Sequence, residues 1–161
     1  MQPIQINVDA ARHGSGLGHR HRFALQRLSL KQVSGAIRAA ADVATLRIVA
    51  QDIRRFARNL LAQGVAARQL TELIAHLNDV LTQRLVQLCA DALGLDLGRA
   101  CWLAFGSEGR GEQTIATDQD NALILTDDSD KPRFLRFARE VNESLDDCGY
   151  PLCKGNIMAS N

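Results

Sequence analysis

From Ser29 to Gly94 apolar residues recur at spacings of three and four, and no other property of this 161-residue chain restricts its fold as strongly. Val33, Ile37 and Ala40, then Leu46, Val49, Ile53, Phe56 and Leu60 line one helical face, and Gly64 is a stop signal. Ser29 is a plausible N-cap for the first turn. The spacing predicts one long helix or two in tandem up to Gly64. A further helix is expected from about Ala67 to Leu93, with Leu70, Leu73, Ile74, Leu77, Val80, Leu81, Leu85 and Leu88 along one face and Gly94 closing it. The short Gly64-Val65-Ala66 link makes the two segments antiparallel neighbours. Such a face must first of all be buried, so packing is the leading role for this hairpin, with homodimerisation or partner binding as alternatives. His76, beside the stripe, reads as an ordinary helical side chain rather than a ligand.

Composition narrows the rest. Only 4% of residues are aromatic while 46% are hydrophobic, so the core must be built from Leu, Ile, Val and Ala. A formal net charge of +1 argues against a broad nucleic-acid surface, which needs clustered Lys and Arg, and leaves room for a local basic site. Cys89, Cys101, Cys148 and Cys153 show no CxxC spacing, which favours reduced thiols in a cytoplasm over a disulfide framework or zinc site. No apolar run approaches the length of a membrane span, and the N-terminus has no secretory pattern. Residues 1–28 sustain no period and read as a flexible leader or linker remnant. The His19-Arg20-His21 cluster within them is a weak metal candidate, since no acidic or cysteine ligand stands nearby.

The chemistry is concentrated between Cys101 and Thr126. Ala100 to Phe105 has the character of a buried strand, Gly106-Ser107 follows, a polar connector runs from Glu108 to Thr117, and Asp118-Gln119-Asp120 leads into a second strand over about Asn121 to Thr126. Gly106 lets the backbone approach a ligand, and the Ser107 hydroxyl with amides at a helix start can hold a phosphate oxygen. Glu108 to Gln113 are expected as the first turns of that helix, with a loop as the alternative because Gly109 and Gly111 interrupt it. Arg110 is placed to neutralise triphosphate charge. In an extended segment Asp118 and Asp120 point to the same side, and two converging carboxylates repel unless a cation sits between them. Oxygen ligands of this kind suit Mg²⁺ or Mn²⁺. Asp127, Asp128 and Asp130 before Pro132 read as capping and solvation for a third helix carrying Phe134, Leu135, Phe137, Ala138, Val141 and Leu145 and ending near Gly149.

The order strand, Gly-Ser, connector, Asp-x-Asp, strand resembles the nucleotidyltransferase superfamily that shares its fold with DNA polymerase β. The longer string GSEGRGEQTIATDQDNALIL, with the closing CKGNIMASN and the helical pair, is similar to a nucleotidyltransferase family related to the N-terminal domain of the uridylyltransferase that modifies PII signal proteins. The resemblance covers roughly Leu28 to Asn161. It implies an α+β fold: a helical hairpin over 29–94, then over 95–161 the N-terminal part of a polymerase β-like sheet-and-helix domain, truncated at its C-terminus. It implies that Gly106 and Ser107 hold a nucleoside triphosphate, with Arg110 as an auxiliary contact, and that Asp118 and Asp120 are catalytic ligands of the divalent metals. The reaction would be attack of an acceptor hydroxyl on the α-phosphorus, with two metal ions about 4 Å apart stabilising the attacking and departing oxygens. A PII-like signalling protein is the partner the relative suggests.

Gln113, Thr117, Gln119 and Asn121 match the family string, with support of the aspartates as their expected role. Gln119 stands where the superfamily usually has an apolar residue. A third carboxylate is expected on a later strand. Asp127, Asp128, Asp130, Glu140, Glu143, Asp146 and Asp147 all fall in a turn or on the third helix, so that ligand is expected beyond Asn161. The cyclic-nucleotide-binding and CBS sensor domains that accompany the family are also missing here, and an incomplete, weakly active or inactive fragment is the expectation. A noncatalytic module that senses a nucleotide, or dimerises through its helices, is the competing reading.

Overall fold

A computed structural model describes residues 29–115 and 117–161. The leader over 1–28 and its His19-Arg20-His21 cluster lie outside the described residues. The fold is α+β, with five helices and one two-stranded antiparallel sheet among the described residues.

The first helical stretch divides into α1, Leu30–Ala39, and α2, Val43–Ala62. Ser29 caps α1 with a full capping box: its Oγ accepts from the Gln32 amide at 3.2 Å, and its own amide donates to Gln32 Oε1 at 2.8 Å. Asp42 starts α2 by accepting from the Thr45 amide at 2.7 Å, a bond that holds its carboxyl below the usual range. The break between α1 and α2 is fastened from α3, Ala67–Leu93, where the Arg84 guanidinium donates twice to the Ala40 carbonyl, at 2.9 and 2.8 Å. Gly94 closes α3 in the left-handed conformation, with φ 58°. Arg133 donates to the Leu93 and Gly94 carbonyls beyond it, satisfying acceptors that the helix end leaves open. Helices α2 and α3 run antiparallel: Ala57, near the end of α2, packs with Leu70 and Ile74 at the start of α3, while Ala40, just before α2, meets Arg84 farther along.

A 3₁₀ turn, Leu97–Arg99, leads into β1, Ala100–Ala104, which pairs with β2, Asn121–Leu125, in the register Ala100↔Leu125 to Ala104↔Asn121. Alternation gives the sheet two faces. Ala100, Trp102, Leu123 and Leu125 pack on the core, whereas the cross-strand partners Cys101 and Ile124 are exposed.

The last helix, α5, Lys131–Asp147, has Pro132 in its first turn, where a missing amide hydrogen costs nothing. Its aspartate lead-in behaves differently from simple capping. Asp130 makes no side-chain cap bond; it and Asp127 instead pair with Arg99, and Asp127 is held well below the usual carboxylate range by the Ser129 hydroxyl first and Arg99 second. Phe134, Phe137, Val141 and Leu145 enter one core with Val33, Ile37, Leu46, Leu77, Leu81 and Leu85, so α5 shares its buried face with α1, α2 and α3. Edge-on contacts from Phe137 to Trp102 and to Phe134, with centroids 6.2 and 6.3 Å apart, tie the sheet to this core.

Candidate functional site

β1 delivers the chain to Gly106–Gly109, a single helical turn, α4. The longer helix expected through Gln113 does not form. Gly111 takes φ 66°, and the segment from Glu112 onward is loop, with the Glu112 amide reaching back to the Ser107 carbonyl at 2.8 Å. Two glycines are required here by close approach. A Cβ on Gly109 would stand 2.6 Å from the Ala104 carbonyl oxygen, inside any real contact. Gly106 has φ 54°, and a Cβ there would collide with the Asp120 carboxylate. The Gly-Ser turn is therefore packed directly on the second aspartate.

The 118–121 segment is held from both sides. Phe105 donates to the Asp120 carbonyl at 2.8 Å from the β1 side. On the other side the Gln119 amide donates to the Pro151 carbonyl at 3.0 Å and the Asn121 amide to the Ile157 carbonyl at 3.1 Å, so the closing segment lies along this edge. Extended geometry then sorts the four side chains by parity. Gln119 and Asn121 are buried against α5, where Asn142 Nδ2 donates to Gln119 Oε1 at 2.8 Å and to Asn121 Oδ1 at 3.0 Å. Gln119 Nε2 donates in return to the Asn142 and Tyr150 carbonyls, at 3.0 and 2.7 Å, and Asn121 Oδ1 accepts from the Ala159 amide at 2.9 Å.

Asp118 and Asp120 occupy the opposite side, Asp118 exposed and Asp120 half-buried. Their carboxylates come together with the thiol of Cys153: one donor atom from each residue lies within 4.8 Å of the other two. A single cation with bonds of about 2.0–2.3 Å can bridge donors at that scale. The pair of carboxylate oxygens fits a divalent cation, and the backbone of Gly106 beside Asp120 leaves a side-chain-free approach to it.

The remaining expected residues are distributed as follows. Ser107 is half-buried beside Gly106, whereas Arg110 is exposed and paired with Glu112 at 2.8 Å. Thr117 is buried and exchanges hydrogen bonds with Thr114, at 2.9 and 3.2 Å, closing the connector, and Gln113 is buried within it. Gln119 and Asn121 hold the reverse side of the strand through Asn142.

Two further groups escaped the sequence reading. Cys153 arrives through the backbone pairing of the closing segment, and the CKGNIMASN string was its one available signal. Glu108 reaches α3, where Thr82 Oγ1 donates to it at 3.4 Å. Burial above all, then the charge of Asp79, pushes its carboxyl up to about 7.

The family model described as putative nucleotidyltransferase DUF294 matches residues 51–161. The chain belongs to this family. The matched span takes in most of α2, all of α3, the sheet, the Gly-Ser turn and the aspartates, so the DUF294 pattern includes helical scaffold as well as site. Comparisons with curated proteins and with solved structures give no match. No helix among the described residues is long and apolar enough to cross a membrane.

Proposed function

We propose that this chain binds a nucleoside triphosphate with a divalent cation and contributes to transfer of its nucleoside monophosphate to an acceptor hydroxyl. The observation that carries the reading is the convergence of Asp118 and Asp120 beside the Gly106 turn, in a member of a nucleotidyltransferase family. Asp118 and Asp120 would hold Mg²⁺ or Mn²⁺. Bound there, the cation supplies charge neutralisation and Lewis-acid polarisation of phosphoryl oxygens.

The protein's own residues do the positioning. Gly106 keeps the space against Asp120 free of a side chain, so a phosphate can approach both the turn and the carboxylate. Ser107 offers a hydroxyl next to that space, and Arg110, if it leaves Glu112, offers an auxiliary cation for the phosphates. Asn142, through Gln119 and Asn121, holds the strand so that the aspartates keep their common side. The likeness to the PII-modifying uridylyltransferase makes a protein hydroxyl our preferred acceptor.

The test is equilibrium dialysis of labelled ATP and UTP against the full chain, with Mn²⁺ or with EDTA. Wild type is expected to retain nucleotide only with the metal, and the Asp118→Asn/Asp120→Asn variant to retain little in either. Equal retention by both proteins would remove the aspartates from the site.

A further inference from the structure

The third member of the donor cluster separates this site from an all-oxygen one. Cys153 is half-buried, and its position is set by the backbone rather than by a flexible tail. Pro151 and Ile157 accept from Gln119 and Asn121 at 3.0 and 3.1 Å, and between them the Asn156 amide donates to the Cys153 carbonyl at 3.1 Å. Asn156 takes the left-handed conformation, with φ 56°, which Asn tolerates better than most residues and which turns the segment back on itself. The outcome is a thiol whose sulfur lies within 4.8 Å of a carboxylate oxygen of each aspartate. The other cysteines are placed differently. Cys89 and Cys148 are buried, with thiols pushed up to about 11 chiefly by that burial, and Cys101 lies exposed on the outer face of β1.

Resting on the metal reading of Asp118 and Asp120, we propose that Cys153 Sγ is a third protein ligand of the same cation and biases the site toward Co²⁺ or Zn²⁺ over Mg²⁺. A thiolate is a soft donor that binds these borderline ions well, and its proton passes to solvent as the bond forms. Mg²⁺ keeps to oxygen ligands and water, and gains nothing from sulfur. For an ion that takes the thiolate, two carboxylates and a thiolate bring three negative charges, which bind it more strongly than the aspartate pair alone.

Co²⁺ tests this directly, because a sulfur bonded to it gives a near-ultraviolet charge-transfer band that oxygen ligands do not. Titration of the full chain is expected to produce that band, and Cys101→Ser is expected to keep it. Cys153→Ser is expected to lose it and to bind Co²⁺ roughly 10- to 100-fold more weakly, at least the range produced by changes outside the ligand shell. Mg²⁺ affinity, read by competition, is expected to stay the same in Cys153→Ser. A band that survives Cys153→Ser, or Co²⁺ affinity unchanged in that variant, would overturn the proposal. Co²⁺ binding that depends on the aspartates but shows no band in wild type would overturn Cys153 as a ligand and leave the metal site standing. Absence of Co²⁺ and Mn²⁺ binding in wild type would overturn both.

Discussion

Gly106 shows how one missing side chain permits a site. Its positive φ makes any L residue cost about 1–2 kcal/mol, and Gly111, also at positive φ, carries the same cost. They differ in surroundings: a Cβ at Gly111 meets nothing within 4 Å, whereas one at Gly106 runs into the Asp120 carboxylate. Both Gly106→Ala and Gly111→Ala are therefore expected to lower the thermal midpoint, but only Gly106→Ala should also abolish metal-dependent nucleotide retention. Glu108 gives a second prediction at this scale. Its carboxyl is raised on folding from 4.5 to about 7, so the folded state favours the protonated form. Its contribution is fully present below about pH 4.5 and is lost as the pH rises through about 7, a loss on the order of 3 kcal/mol at most. Urea unfolding at pH 5 and pH 8 should show wild type losing stability between them, and Glu108→Gln losing less. Asp79, raised mainly by burial, acts in the same direction and leaves a residual dependence.

At the scale of elements, the strand entering β2 is kept in place by a helix distant in sequence. Asn142 of α5 is buried, and its carboxamide joins Gln119 to Asn121. Asn142→Ala leaves the buried Gln119 Oε1 without its donor, at about 1–3 kcal/mol, while Asn121 Oδ1 keeps the Ala159 amide. A loss of about 1–3 kcal/mol in denaturant unfolding is expected, while Asn78→Ala, on α3 with a single bond from the Tyr150 hydroxyl at 2.7 Å, should cost less. Much of this level was legible in the chain. The α3 boundaries followed from the leucine period and Gly94, the Ser29 cap from its residue type, and the two strands from their apolar runs, because each is a local property. What stayed hidden depends on contacts between distant segments. After Gly106 the helix-interrupting Gly109 and Gly111 make a loop the alternative to a helix, and they do not tell that the helix lasts a single turn. Nothing near Asn142 shows that it meets Gln119, and the closing CKGNIMASN string marks Cys153 only as part of a family pattern, not as a neighbour of the aspartates. Asp127 and Asp130 read as helix-entry residues because their partner, Arg99, arrives from the far end of β1.

For the molecule as a whole, scaffold and site meet in the four residues Asp118 to Asn121. Odd positions are buried against Asn142 of α5, Asp120 faces the Gly106 turn with Asp118 beside it, and the alternation of an extended chain makes the division. Fold and chemistry should therefore separate cleanly by position. The direct measurement is Mn²⁺ binding to Asp120→Asn, read from the free-ion electron paramagnetic resonance signal, with thermal unfolding recorded on the same samples. Loss of Mn²⁺ binding with a midpoint equal to or above that of wild type is the expected result, since the substitution removes one of two facing carboxylates and no core contact. Mn²⁺ binding retained at wild-type affinity would contradict the account.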